Sequence, residues 1–158
     1  SSSSSSSNGS GSEVSAHRGS EMVMELRGVR ALSSLLSNSS TLQTLDISNC
    51  GLGMEAAATL SDGLRISGSL THLSVAGNFL EDSGVSAVAA SLSVNPSCCL
   101  RRLNLDQTGA GQAGALAVVS LLALLPSVTA VSAQGNPQIP SSFSGLCSDV
   151  VWAKEARA

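Results

Sequence analysis

Asp46, His72 and Ser74 are the three side-chain types of a hydroxyl-nucleophile relay. In such a relay a carboxylate orients an imidazole, and the imidazole takes the hydroxyl proton. Gly109-Ala-Gly111-Gln-Ala-Gly114 has the spacing of a loop that turns backbone amides toward a pyrophosphate. Arg102 carries a planar fork of donors able to hold a carboxylate at two points. Asn104 and Asp106 follow it at intervals of two. Each of these groups does chemistry only beside the right neighbours, so the elements that position them decide among the readings.

Those elements repeat. Leu70-Thr-His-Leu73-Ser-Val75-Ala-Gly-Asn78-Phe-Leu80 places apolar residues at window positions 1, 4, 6 and 11, and Asn at position 9. The spacing recurs at Leu42, Leu45, Ile47 and Leu52, at Leu100, Leu103, Leu105 and Ala110, and more weakly from Val128. The copies start at 42, 70, 100 and 128, in steps of 28, 30 and 28 residues. A period of that length marks a solenoid, and the pattern resembles a leucine-rich repeat. Its length, with a helix in each unit, resembles the ribonuclease-inhibitor-like subfamily. The resemblance covers about 42–127 well and 22–158 loosely. It implies an α/β leucine-rich repeat solenoid, with a curved parallel sheet on the concave side and helices on the convex side. Three to four repeats plus capping helices are expected.

Within each unit the expected order is strand, turn, helix. Leu45 and Ile47 point inward in the first repeat, and Cys50 takes position 9, where a buried small polar side chain is wanted. Asn at that position can bond backbone groups of a neighbouring turn. Ala56, Leu60 and Leu64 occupy positions 15, 19 and 23, as do Gly84, Val88 and Leu92, then Gly114, Val118 and Leu122. A small residue at 15 lets the helix approach the strand backbone of its own turn. Glu81 and Asp82 suit the positive end of their own helix. Pro96 ends the second helix, and two extra residues fall in the loop that follows.

Alternation then directs a second set outward onto the concave face. Thr44, Asp46 and Ser48 come first, followed by His72, Ser74 and Ala76, then Arg102, Asn104 and Asp106, then Ala130, Ser132 and Gln134. Asp46, His72, Ser74, Arg102, Asn104 and Asp106 are the candidates for directed contact with a partner, with Arg102 as the anchor. A relay of Asp46, His72 and Ser74 is set aside, because an open sheet face offers no oxyanion hole and no pocket to exclude water. The glycine spacing is set aside too, because Gly114 is explained as repeat position 15 and no acid follows about 20 residues on.

Composition narrows the function further. Charged residues are 12% and the net charge is −3, with Arg101-Arg102 as the basic doublet. Nucleic acid is not the expected partner, since that needs a basic stripe. With one Trp, two Phe and no Tyr, the core must be Leu, Val, Ala and Ile. Cys50, Cys98, Cys99 and Cys147 match no zinc spacing and read as reduced cysteines of a cytoplasmic protein. No metal and no cofactor is expected.

Residues 1–21 read as a disordered Ser-rich tail, and 22–158 as the repeat domain. Within it, 22–41 is an N-terminal cap or half repeat, 42–69, 70–99 and 100–127 are full repeats, and 128–158 is an atypical C-terminal repeat or cap. Trp152 is expected over the end of the stack, with Lys154, Glu155 and Arg157 facing water. Ala115 to Leu125 is almost wholly apolar but too short for a membrane span, which needs about 20 residues. Its outer face is expected to be partly covered by another chain. The chain starts with Ser and reads as part of a longer solenoid. Taken together, these features lead us to expect a non-enzymatic module that binds another protein on its concave face. The resemblance also implies two alternatives, a GTPase activator of the Ran type or the sensor region of a NOD-like receptor.

Overall fold

The computed structural model describes residues 28–143 together with Gly145 and Cys147. The Ser-rich stretch, residues 22–27 of the expected cap or half repeat, and the 152–157 group lie outside the described residues. Residues 28–38 are helical (α1). Then follow β1 (Thr44–Asp46), α2 (Met54–Leu64), β2 (His72–Ser74), α3 (Glu81–Val94), β3 (Arg102–Asn104), α4 (Gln112–Leu124) and β4 (Ala130–Ser132). The strands form one parallel sheet in the order β1-β2-β3-β4. This is the expected α/β repeat solenoid, with each helix returning the chain beside the strand before it.

The strands are only three residues long, but the ladder extends past them. Ile47 N donates to Ser74 O at 2.9 Å, Val75 N to Asn104 O at 3.0 Å, and Leu105 N to Ser132 O at 2.7 Å. Ser48, Ala76, Asp106 and Gln134, expected as strand residues, therefore lie just beyond the strand ends. Leu45, Leu73 and Leu103 are in register beneath the open face, and all three are buried. The repeat's other apolar positions join them in one core between sheet and helices, including Leu60, Leu64, Val88, Leu92, Val118 and Leu122. Each such Leu or Val contributes about 1.5–3 kcal/mol by leaving water.

Repeat geometry is held by side chains that reach backward. Asn78 is 1% exposed. Its Oδ1 accepts from Cys50 N at 3.0 Å and Leu52 N at 3.1 Å, and its Nδ2 donates to Ile47 O and Val75 O. Asn136 repeats this toward the turn before it, through Thr108 N, Gly109 N and Leu105 O. The turn carbonyls and amides have no ladder partner of their own, so a buried amide with both donor and acceptor is what they need.

Three local expectations change. Cys50 at position 9 is exposed, and its thiol reaches only Ser48 O at 3.6 Å. A thiol cannot offer the donor and acceptor pair that Asn78 uses, and no earlier turn among the described residues lies behind it. The glycines at position 15 face helices and position 11, not strand backbone. A Cβ on Gly84 would lie 2.6 Å from Leu80 Cβ and 3.3 Å from Ala57 Cβ. Finally, Asp82 serves the next helix: its Oδ1 accepts from Gly111 N at 2.5 Å and Gly114 N at 2.9 Å. Helix α4 has no acidic residue in its own first turn, so the neighbouring repeat supplies the carboxylate.

Candidate functional site

The open face of the sheet is a concavity of about 390 Å³ that spans all four strands. Register sorts its side chains into rows. Thr44, His72, Arg102 and Ala130 form the row at the strand starts. Asp46, Ser74, Asn104 and Ser132 form the row two residues later. Asp46, His72, Ser74, Arg102 and Asn104 all line the concavity, so the structure brings together five of the six candidates. Asp106 stands just past β3, where its Oδ1 accepts from Ser132 Oγ at 2.7 Å and Gln134 N at 2.8 Å. That carboxylate ties the third repeat to the fourth, a role its outward position in the repeat did not show.

Each polar group has a distinct condition. Asp46 is exposed, and its Oδ1 accepts from Ser48 Oγ at 2.7 Å and Ser48 N at 3.1 Å. The Ser48 hydroxyl, and then the Ser48 amide, hold the Asp46 carboxyl below its ordinary value, because both bonds favour the ionised form. Thr71 Oγ1 donates to Gln43 O at 3.1 Å and lies 2.9 Å from His72 Nδ1. The hydroxyl thus engages one ring nitrogen, and Nε2 makes no hydrogen bond among the described residues. Arg102 is exposed, and its guanidinium has no hydrogen-bond or ionic partner among the described residues. Asn104 Oδ1 accepts from Asp106 N at 3.0 Å.

This geometry does not assemble a relay. Asp46 pairs in register with Ser74, while His72 pairs with Thr44 and Arg102, one row away. The carboxylate is engaged by Ser48 and the imidazole by Thr71. The glycine spacing at 109–114 is likewise occupied, because the amides of Gly111 and Gly114 that would face a phosphate are bonded to Asp82. Among the described residues no group of three or more His, Cys, Asp or Glu is placed to hold a metal ion. The four cysteines are free thiols. Burial pushes the Cys147 thiol up to about 11 and also raises Cys98.

Sequence reasoning missed two reaching side chains. One is Asp82; the other is Asn95, whose Nδ2 donates to Leu64 O at 2.7 Å and Ser67 O at 2.6 Å, closing the end of α2. The signal for Asn95 was its place immediately before Pro96, after the last turn of a helix.

Comparison with known proteins places the chain among repeat proteins. The family model described as Leucine Rich repeat matches residues 38–61 and 69–89. The chain is similar to NACHT, LRR and PYD domains-containing protein 5 of Bos taurus, at 33% identity over 106 residues, which is 67% of this chain and 10% of that protein. It is similar to the ribonuclease inhibitor of Sus scrofa, at 30% identity over 105 residues, 66% of this chain and 23% of the inhibitor. The chain thus spans under a quarter of either relative. Among solved structures, Leiomodin-1 Actin-Binding Site 2 superimposes with a TM-score of 0.60 over 85% of this chain and 89% of that one. The tropomodulin C-terminal domain of Caenorhabditis elegans does so with a TM-score of 0.52 over 82% and 94%. At 14% and 15% identity these two structures speak for the fold alone.

Proposed function

The chain is a leucine-rich repeat protein of the ribonuclease-inhibitor-like type, and from that premise we propose that it is a non-enzymatic interaction module that binds a partner protein on its concave face. One observation carries the reading: the Arg102 guanidinium, a group that recognises carboxylates bidentately, stands without a partner among the described residues in a concavity lined by small polar side chains. Such faces are the extended binding surfaces of solenoids. A relative's name fits a protein partner, since it is an inhibitor of ribonuclease. The free thiols fit a cytoplasmic location. Among the described residues no helix is long and apolar enough to cross a membrane.

A second reading is favoured by the 33% identity to the NACHT, LRR and PYD protein: the chain is a portion of the sensor region of a NOD-like receptor. Both readings use the same face. The test is affinity purification with wild-type chain and Arg102→Glu, with circular dichroism as the control for folding. Specific partners retained by the wild type and lost by the folded variant are expected. Retention of the same partners by both would sink the concave-face assignment.

A further inference from the structure

Charges are scarce in this chain, yet two of opposite sign stand at opposite corners of the concave face. Arg102 belongs to the row at the strand starts on β3, and Asp46 to the row at the strand ends on β1. They are two strands apart and two residues apart along the strands. Strand spacing and rise separate their backbones by about 12 Å. They do not pair with each other. Arg102 has no partner among the described residues, and Asp46 is fixed through Oδ1 by both Ser48 donors, leaving Oδ2 without a donor among the described residues. On β2, between the two corners, stand Ser74 beside Asp46 and His72 beside Arg102, both lining the concavity. The two Ser48 bonds already orient the exposed Asp46 carboxylate, which lowers the ordering cost of binding there.

We infer that the concave face takes a protein segment carrying one acidic and one basic side chain about two helical turns apart, the acid seated on Arg102 and the base on Asp46. The inference rests on the reading of the concave face as the binding surface. A helix advances about 10.5 Å over seven residues, and both side chains then lie on one face. The concavity is lined by one carboxylate and one guanidinium, so recognition there depends on pairing, not on bulk attraction.

The experiment uses the full chain and three labelled Ala-rich helical peptides as probes, read by fluorescence polarisation. Their two charged positions, seven residues apart, are Glu and Lys, Glu and Glu, or Lys and Lys. Wild-type chain is expected to favour the Glu and Lys peptide by about three- to fivefold, because pairs at exposed groups are screened by water. Arg102→Asp makes both corners acidic and should prefer the Lys and Lys peptide. Asp46→Arg makes both basic and should prefer the Glu and Glu peptide. Ser74→Trp fills the concavity without changing charge and should abolish binding of all three. Thermal melts establish that each variant is folded. Binding that Ser74→Trp abolishes but the charge variants leave unswitched overturns the pairing and leaves the concave face standing. Binding that survives Ser74→Trp overturns the concave face itself. No preference by the wild type, or no binding of the mixed peptide, overturns the pairing.

Discussion

At the scale of single residues, the repeat shows where one side chain is out of place. Position 8 of each turn is left-handed: Asn49 at φ 55°, Gly77 at 70°, Gln107 at 52° and Gly135 at 72°. Asn and Gly tolerate this region, while Gln gains nothing there and is disfavoured by about 1 kcal/mol or more. Replacing Gln107 with Gly should therefore raise stability by about 0.5–1 kcal/mol, after the added freedom of the unfolded chain is subtracted. Urea denaturation checks it, and a lower midpoint would contradict the strain. Ser48 offers a second test. Because its two bonds lower the Asp46 pKa, they add stability that is present above the ordinary carboxylate value and lost as pH falls through the lowered one. Ser48→Ala removes the larger of the two effects, so carbon-detected NMR should show the Asp46 titration midpoint moving upward.

At the scale of elements, each turn and helix is completed by its neighbour. Asn78→Ala leaves the amides of Cys50 and Leu52 and the carbonyls of Ile47 and Val75 without their buried partner. Unsatisfied buried groups cost about 1–3 kcal/mol each, so a loss of about 3 kcal/mol or more is expected in a thermal melt. A loss below 1 kcal/mol would mean that water replaces the amide freely. Asp82→Ala should cost about 1–2 kcal/mol, the range of a lost N-cap. It should also raise hydrogen exchange at the start of α4 rather than of α3, because the carboxylate caps Gly111 and Gly114. An apolar outer stripe also appears at this scale: Leu116 and Leu124 of α4 are 56% and 64% exposed. The sequence led to the expectation that another chain partly covers this face. The structure leaves these two side chains open to solvent.

At the scale of the molecule, stability and recognition separate onto two sets of strand residues. Leu103→Asp puts a charge at the centre of the stacked leucines and should unfold the chain, because an unpaired buried carboxylate is far costlier than the small stability of one domain. Arg102→Glu, its neighbour, should leave the circular dichroism and melting temperature within error. If both variants unfold, the face is structural rather than free. The Ran-type alternative belongs to this scale as well: hydrolysis of GTP by candidate small GTPases should not accelerate on addition of the chain, and acceleration would overturn the non-enzymatic reading.

The fold was legible because it is periodic. Leu45, Leu73 and Leu103 recur at one position, and a period near 28 leaves strand, turn and helix little choice of arrangement. The outward row residues follow from the same alternation, so the strand side of Asp46, His72, Ser74, Arg102 and Asn104 is legible in the sequence. What those residues do was not legible, because it depends on contacts across repeats that the period does not encode. Asp82 caps the next helix at Gly111, 29 residues on, Ser48 takes the carboxylate that a relay would need, and Asp106 is tied to Ser132. Spacing along the chain determines which side of a strand a residue faces. The distance between side chains on neighbouring strands, and hence which charges pair and which stay free for a partner, was decided only by the folded sheet.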